Sequence, residues 1–311
     1  MRIGLFQGIV DPPPYVEHQV QGMVDAEADG FDSVWTTETV CAEALTVIAM
    51  AGQRTERIEF GTAVVPLHPW LHRHPLTFAQ HALTTQAATD GRLTLGIGAT
   101  RTPTGDGSAM DLYRKPVTHM REFLTILRCL VHEGAVDLSG KIFSVRTTLQ
   151  VPGASPFPIL MAALGPKMLR VAGELADGTV TWMVGPKTLE SHIVPRLTSA
   201  AEWAGRSAPR VAVGAPVAVT DDTVAARAAS TNYFGRYGRL PSYRRMLDIE
   251  GVQGPEDVAI VGDEAEVERQ VRDLAVLGAT DLLASVFPVG DDREVSTSRT
   301  RELLTSLVGK V

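Results

Sequence analysis

A (β/α)8 barrel, formed as one domain over residues 1–311, is the fold this sequence predicts, on three observations. Strand-like apolar runs alternate with amphipathic helical patterns almost without a break. The runs are apolar throughout rather than alternating, as in a parallel sheet buried on both faces. Eight strands can be counted, each followed by helix, whereas a doubly wound open sheet, the main rival, usually has fewer.

Taken in order, Arg2–Ile9 reads as the first strand and Tyr15–Asp29 as a helix stopped by Gly30. Ser33–Glu38 is a strand, Ala42–Arg54 a helix, and the strands Ile58–Pro66 and Leu93–Thr100 flank a helix over Pro75–Thr89. A long helix, Val117–Glu133, precedes the fifth strand, Pro158–Leu164, and the sixth, Thr179–Val184. Lys187–Gly205 is helical, Arg210–Thr220 the seventh strand, Glu264–Leu277 helical, Asp281–Val289 the last strand and Glu294–Val308 the closing helix. Three connections exceed simple turns. Thr102–Pro116 follows the fourth strand, Asp137–Phe157 reads as a hairpin before the fifth, and Asp221–Asp263 follows the seventh with Tyr233, Phe234, Tyr237 and Tyr243. Long loops in compact domains are usually functional or mobile, and those after strands four and seven fall on the C-terminal face, where barrels keep their active sites.

The net charge of −7, with both signs interspersed, argues against nucleic acid or an anionic membrane as the main partner. Cys41 and Cys129 show no metal or redox spacing and read as two reduced thiols. The start, MRIGLFQGIV, is too short for a membrane span and has no cleavage pattern, so a soluble, cytoplasmic protein is expected.

The most informative segment runs from Met161 to Met183. A strand enters a helix through Ala162, Ala163, Leu164, Gly165 and Pro166, and Met168 lies in the first turn. Proline is pre-organised at such a position, and the free N–H groups of the helix start suit an anion, typically a phosphate. Glu38 closes the second strand, where a carboxylate can point into the barrel mouth or cap the following helix. Gly61, Thr62, Ala63 and Val64 end the third strand; small residues there admit a flat ring against the backbone or serve packing alone. Gly96-Ile97-Gly98 lacks the third glycine and helix of a dinucleotide fingerprint, and reads as a close approach for a planar cofactor. His68, His72 and His74 are spaced like metal ligands, but the prolines at 69 and 75 bend the segment; no metal is expected, and Arg73 is left available to an anionic ligand. No nucleophile elbow, Walker A or zinc-protease motif occurs, which favours chemistry carried by a bound organic cofactor.

Three blocks, Gly30–Glu38, Arg57–Gly98 and Ala163–Gly178, together resemble the bacterial-luciferase-like superfamily of flavin and deazaflavin barrels, over nearly the whole chain. The last block is similar to the branch that uses coenzyme F420, which includes methylene-tetrahydromethanopterin reductases and F420-dependent glucose-6-phosphate dehydrogenases. The resemblance implies a non-prolyl cis peptide at Ala63-Val64 buttressing a deazaflavin ring. It implies Thr37, Glu38 and Thr62 beside the ring or its tail, and Gly98 and Thr100 along its edge. Ala162, Ala163, Leu164, Gly165 and Met168 would form the phosphate and ribityl seat. Thr39 and Arg101 stand where the sugar-phosphate branch has its histidine and glutamate, which argues against glucose-6-phosphate oxidation and leaves Arg101 to hold an anionic substrate or the cofactor tail.

The expected function is therefore F420-dependent oxidoreduction, with reduced F420 passing hydride to a C=C, C=N or C=O of a small organic substrate. Glu38, His72 and Arg101 are the catalytic candidates, and Glu38, His72, Tyr233, Tyr237 or water could donate a proton. The alternative is an FMN-dependent monooxygenase or reductase of the same superfamily, and a third reading is a non-catalytic flavin-binding barrel. A homodimer is expected, with a separate F420- or flavin-reducing enzyme as a further partner.

Overall fold

A computed structural model describes residues 1–10, 15–38, 42–67, 73–99 and 115–311. Twelve strands occur among them: β1 (Arg2–Gln7), β2 (Ser33–Thr36), β3 (Glu59–Thr62), β4 (Val65–Leu67), β5 (Leu93–Ala99), β6 (Ala135–Ser139), β7 (Ser144–Thr148), β8 (Ile159–Ala162), β9 (Gly178–Trp182), β10 (Arg210–Val219), β11 (Ile260–Gly262) and β12 (Asp281–Val286). Eight of these close a parallel barrel in the order β1-β2-β3-β5-β8-β9-β10-β12, with β12 returning to β1. The third strand of the sequence reading is interrupted: β3 ends at Thr62 and β4 resumes at Val65, paired with β5. The hairpin expected before the fifth barrel strand is β6 and β7, antiparallel and detached from the barrel. The sequence pattern missed β11, which extends the sheet beside the long β10.

Among the described residues, ten α-helices of nine residues or more surround the barrel: α1 (Val16–Ala28), α2 (Ala44–Gly52), α3 (Pro75–Ala88), α4 (Pro116–Arg128), α5 (Pro166–Leu175), α6 (Val194–Trp203), α7 (Thr223–Phe234), α8 (Pro241–Glu250), α9 (Glu264–Val276) and α10 (Arg293–Ser306). Their starts follow local chemistry. Proline opens α3, α4, α5 and α8, where no N–H is needed, and Asp222, Asp263 and Asp292 accept backbone N–H groups at the starts of α7, α9 and α10. The helices cover a continuous apolar shell on the outer face of the strands.

Inside the barrel a smaller cluster, Phe6, Trp35, Leu160, Val180, Ala212 and Leu283, fills the middle. Trp35 is wholly buried there because the facing positions are glycine: a Cβ on Gly61 would lie 2.1 Å from its ring. The flat ring that Gly61 admits is thus the chain's own indole. Below it the strands are not apolar throughout, contrary to the sequence reading. Arg210 bonds Asp281 (2.6 Å), Glu59 (2.7 Å) and the Thr94 hydroxyl (3.0 Å), and Arg2 joins the same two carboxylates. Burial pushes both carboxyls up from their ordinary values while the arginines oppose it. This ionic layer fills the N-terminal end of the barrel interior, the end away from where barrels keep their active sites.

Candidate active site

Two strand-to-helix turns on the C-terminal face share a Gly-Pro-Lys sequence, Leu164-Gly165-Pro166-Lys167 and Val184-Gly185-Pro186-Lys187. Their helix starts differ in one respect. At the second, the Glu250 carboxylate accepts the N–H groups of Lys187 (3.1 Å) and Thr188 (2.7 Å), so a side chain already fills the anion position. At the first, no side chain among the described residues accepts the free N–H groups of α5. Pro166 has no N–H, and Met168 and Leu169 donate to the Gly165 carbonyl, which leaves the Lys167 N–H facing outward. Among the described residues, a Cβ on Gly165 would meet nothing within 4 Å, so none of them covers this turn. Buried His192, from the helical segment 186–203, holds it in place through Nε2, 2.7 Å from the Leu164 carbonyl.

Across the mouth, the Ala63-Val64 peptide is cis, as the resemblance implied. The bulge is held from both sides: Ala63 N–H donates to the Thr36 carbonyl (2.8 Å) and Glu38 N–H to the Val64 carbonyl (3.4 Å). Behind it sit the two glycines of β5. A Cβ on Gly96 would lie 1.9 Å from the Thr62 carbonyl oxygen, and one on Gly98 2.7 Å from a Val64 methyl. The neighbouring strand thus makes a close approach of its own at both glycines. Thr62 is likewise a structural pin: fully buried, its hydroxyl donates to the Gly96 carbonyl and accepts the Gly96 N–H, both at 2.8 Å. Ala63 and Val64 themselves stay partly exposed toward the barrel interior.

Glu38 lies at the end of β2 beside this bulge. Its carboxylate is ion-paired with Arg73 and also accepts the N–H of Ala44 at 3.5 Å, the first residue of α2. Both sequence alternatives for Glu38 thus hold in part, since it sits at the mouth and touches the next helix start. Burial pushes its carboxyl up, Arg73 pulls it down and Glu43 pushes it up again, with a net rise. Arg73, expected to be free for an anion, is occupied by Glu38 and lies over the Phe78 ring. His74 caps α3, its Nδ1 accepting the Leu76 N–H at 3.3 Å.

The aromatic residues of the insertion after β10 close over the sixth-strand side. Trp182 makes edge contacts with Phe6 (5.5 Å), Phe234 (5.8 Å) and Tyr237 (5.9 Å). The Tyr233 hydroxyl accepts from Arg293, and that of Tyr237 from Arg236. The sequence reading noted these tyrosines but missed Trp182, His192 and Ser285. The only signal for Trp182 was its place three residues before the second Gly-Pro turn.

The structure thus brings Thr37, Glu38, Ala63, Val64 and Gly98 to one side of the mouth, and Ala162, Ala163, Leu164, Gly165 and Met168 to the turn after β8. His68, His72, Thr100 and Arg101, with Thr39 and Cys41, lie outside the described residues. Among the described residues, no group of three or more His, Cys, Asp or Glu side chains is placed to hold a metal, and no helix is long and apolar enough to cross a membrane.

Known proteins resemble this chain in sequence and in fold. A 5,10-methylenetetrahydromethanopterin reductase of Methanolobus tindarius is 31% identical over 303 residues, covering 86% of this chain and 90% of that protein. A putative coenzyme F420-dependent oxidoreductase of Mycobacterium tuberculosis is 27% identical, covering 95% and 97%. Among solved structures, an F420-dependent secondary alcohol dehydrogenase with an F420-acetone adduct superposes with a TM-score of 0.75 at 18% identity, over 99% and 98% of the two chains. The FMN-bound oxygenating component of a type II Baeyer-Villiger monooxygenase of Pseudomonas putida does so with 0.73 at 21%, over 100% and 97%. The model of the luciferase-like monooxygenase family matches residues 3–305, and the chain belongs to that family.

Proposed function

We propose that this chain is a coenzyme F420-dependent oxidoreductase working as a reductase on a small organic substrate. The observation that carries the reading is the open helix start at 165–168, beside a twin turn whose anion position Glu250 already fills. The relatives named for F420 give the choice of cofactor its support.

The residues present fit such a group. The α5 terminus, through the Lys167 N–H and the helix dipole, would hold the phosphate. Leu164, Gly165 and Met168 would flank it, with Ala162 and Ala163 along the ribityl chain. Val64 and Ala63 would support one ring face, with Thr37 at its edge. When bound, reduced F420 supplies a hydride from C5 to an electron-poor carbon. The protein's contribution is then proximity, choice of face and exclusion of water by the aromatic cover. Glu38 is a poor proton source because Arg73 holds its carboxylate, whereas Tyr237 accepts from Arg236 and keeps its own proton to give. A homodimer, supplied by a separate F420-reducing enzyme, completes the proposal.

Parallel titrations of the apo-protein with F420 and with FMN, followed by absorbance, test it. Tighter binding of F420 is expected. Preference for FMN instead assigns the chain to the monooxygenase reading.

A further inference from the structure

Two polar atoms at the upper end of the barrel interior are buried and have no hydrogen-bond partner among the described residues: Trp182 Nε1 and Ser285 Oγ. Buried donors left unpaired cost about 1–3 kcal/mol each, so groups of this kind commonly serve a ligand or an ordered water. Both point inward. On β12, Asp281 joins the ionic base, Leu283 the interior cluster, and Ser285 follows on the same face. On β9, Val180 belongs to that cluster and Trp182 packs against it two residues on.

The strand between them supplies nothing to either. Gly214 of β10 lies beneath the Trp182 ring, where a Cβ would come within 2.9 Å of it, and Pro216, which pairs with Ser285 in the ladder, has no N–H. Met183, directly after Trp182, has a left-handed backbone (φ 54°), uncommon for a residue other than glycine and typical of functional sites. Ser285 is 1% exposed, whereas the Trp182 ring is partly open to the mouth. Ala63 and Val64 pack on the same interior cluster as Trp182, so the bulge and the Trp182 ring meet the same group of side chains.

The chemistry of this wall is neutral. Among the described residues its donors are uncharged, an indole N–H and a hydroxyl, the rings packed on Trp182 are Phe6, Phe234 and Tyr237, and the Arg236 guanidinium beside Tyr237 is bonded to that tyrosine's hydroxyl. We infer that Trp182 and Ser285 form an oxygen subsite, and that the substrate is a neutral carbonyl compound, a ketone or enone, rather than a carboxylate. This rests on the reading given under Proposed function and narrows its substrate class. In the reaction the substrate carbon gains a C–H bond with the two electrons that reduced F420 loses. The π pair of the C=O or conjugated C=C moves onto the carbonyl oxygen, the two donors hold the charge there, and Tyr237 or water supplies the proton.

The test uses protein loaded with oxidised F420. Cyclohex-2-en-1-one and, as an anionic counterpart, crotonate are titrated against the bound cofactor's absorbance in wild type, Trp182→Phe and Ser285→Ala. Wild type is expected to bind the enone saturably and not crotonate, and each substitution to weaken the enone about tenfold. Ser285→Ala is also expected to melt no lower than wild type, because it removes a hydroxyl that nothing in the fold uses; a structural hydroxyl would give a lower melting temperature. Failure of wild type to take up F420 defeats the functional reading, and this inference with it. A normally loaded protein that ignores the enone, prefers crotonate, or binds the enone equally well in all variants overturns this inference alone.

Discussion

The Glu38 carboxylate at the end of β2 meets the Arg73 guanidinium at the start of α3, and the pair ties two loops of the barrel mouth together. Only 6% and 18% of the two side chains are exposed, so each charge depends on the other. Breaking a buried pair leaves one charge uncompensated, whereas replacing both with apolar groups is often neutral. Glu38→Gln is therefore expected to cost about 3 kcal/mol in urea unfolding. The double variant Glu38→Met with Arg73→Met should recover most of that loss, and equal, additive losses would show that the pair is not coupled.

Gly96 is predicted to tolerate no side chain. In Gly96→Ala the new methyl would lie 1.9 Å from the Thr62 carbonyl, a backbone atom that cannot swing away. About 3 kcal/mol of stability should be lost. Gly98→Ala meets a Val64 methyl at 2.7 Å, which a side-chain rotation can relieve, so its cost should be smaller. Chemical denaturation of both variants checks the order.

His192→Ala should loosen the turn at Leu164 without touching the ring side of the mouth. F420 affinity is expected to fall about tenfold, while affinity for the dephosphorylated deazaflavin alcohol stays unchanged. His192→Gln, which keeps a donor, should restore part of the difference. Equal losses for both ligands would mean general destabilisation.

Glu122 gives a pH-dependent prediction. Burial pushes its carboxyl up, but the N–H groups of Phe143 (2.9 Å), Lys141 (2.7 Å) and Ile142 (2.8 Å) outweigh that and hold it below its ordinary 4.5. A carboxyl lowered on folding adds stability that is fully present above its unfolded value and is lost as pH falls through the folded one. Glu122→Gln should thus be less stable than wild type at pH 7 by about 1–3 kcal/mol. The gap should shrink as pH falls below the carboxyl's ordinary 4.5 and through its lower folded value, as thermal melts across pH would show.

The barrel was legible because strand and helix periodicities are local: every barrel strand appears where its apolar run lies. What the pattern could not show was set by contacts between distant strands. Gly61 and Gly96 looked like room for a ligand, yet one accommodates Trp35 and the other the Thr62 carbonyl. Arg73 looked free because its partner, Glu38, is 35 residues away. The two Gly-Pro turns are nearly identical in sequence, and only the position of Glu250, on α8, separates the filled helix start from the open one. Trp182 and Ser285 carry no motif; their interest arises from what they fail to bond.

The most direct test of the account is a crystal structure of the chain grown with F420. The phosphate is predicted within hydrogen-bonding distance of the Lys167 N–H at the start of α5, with the deazaflavin ring against Val64. A phosphate bound away from residues 164–168, or a ring lying outside the barrel mouth, would contradict it.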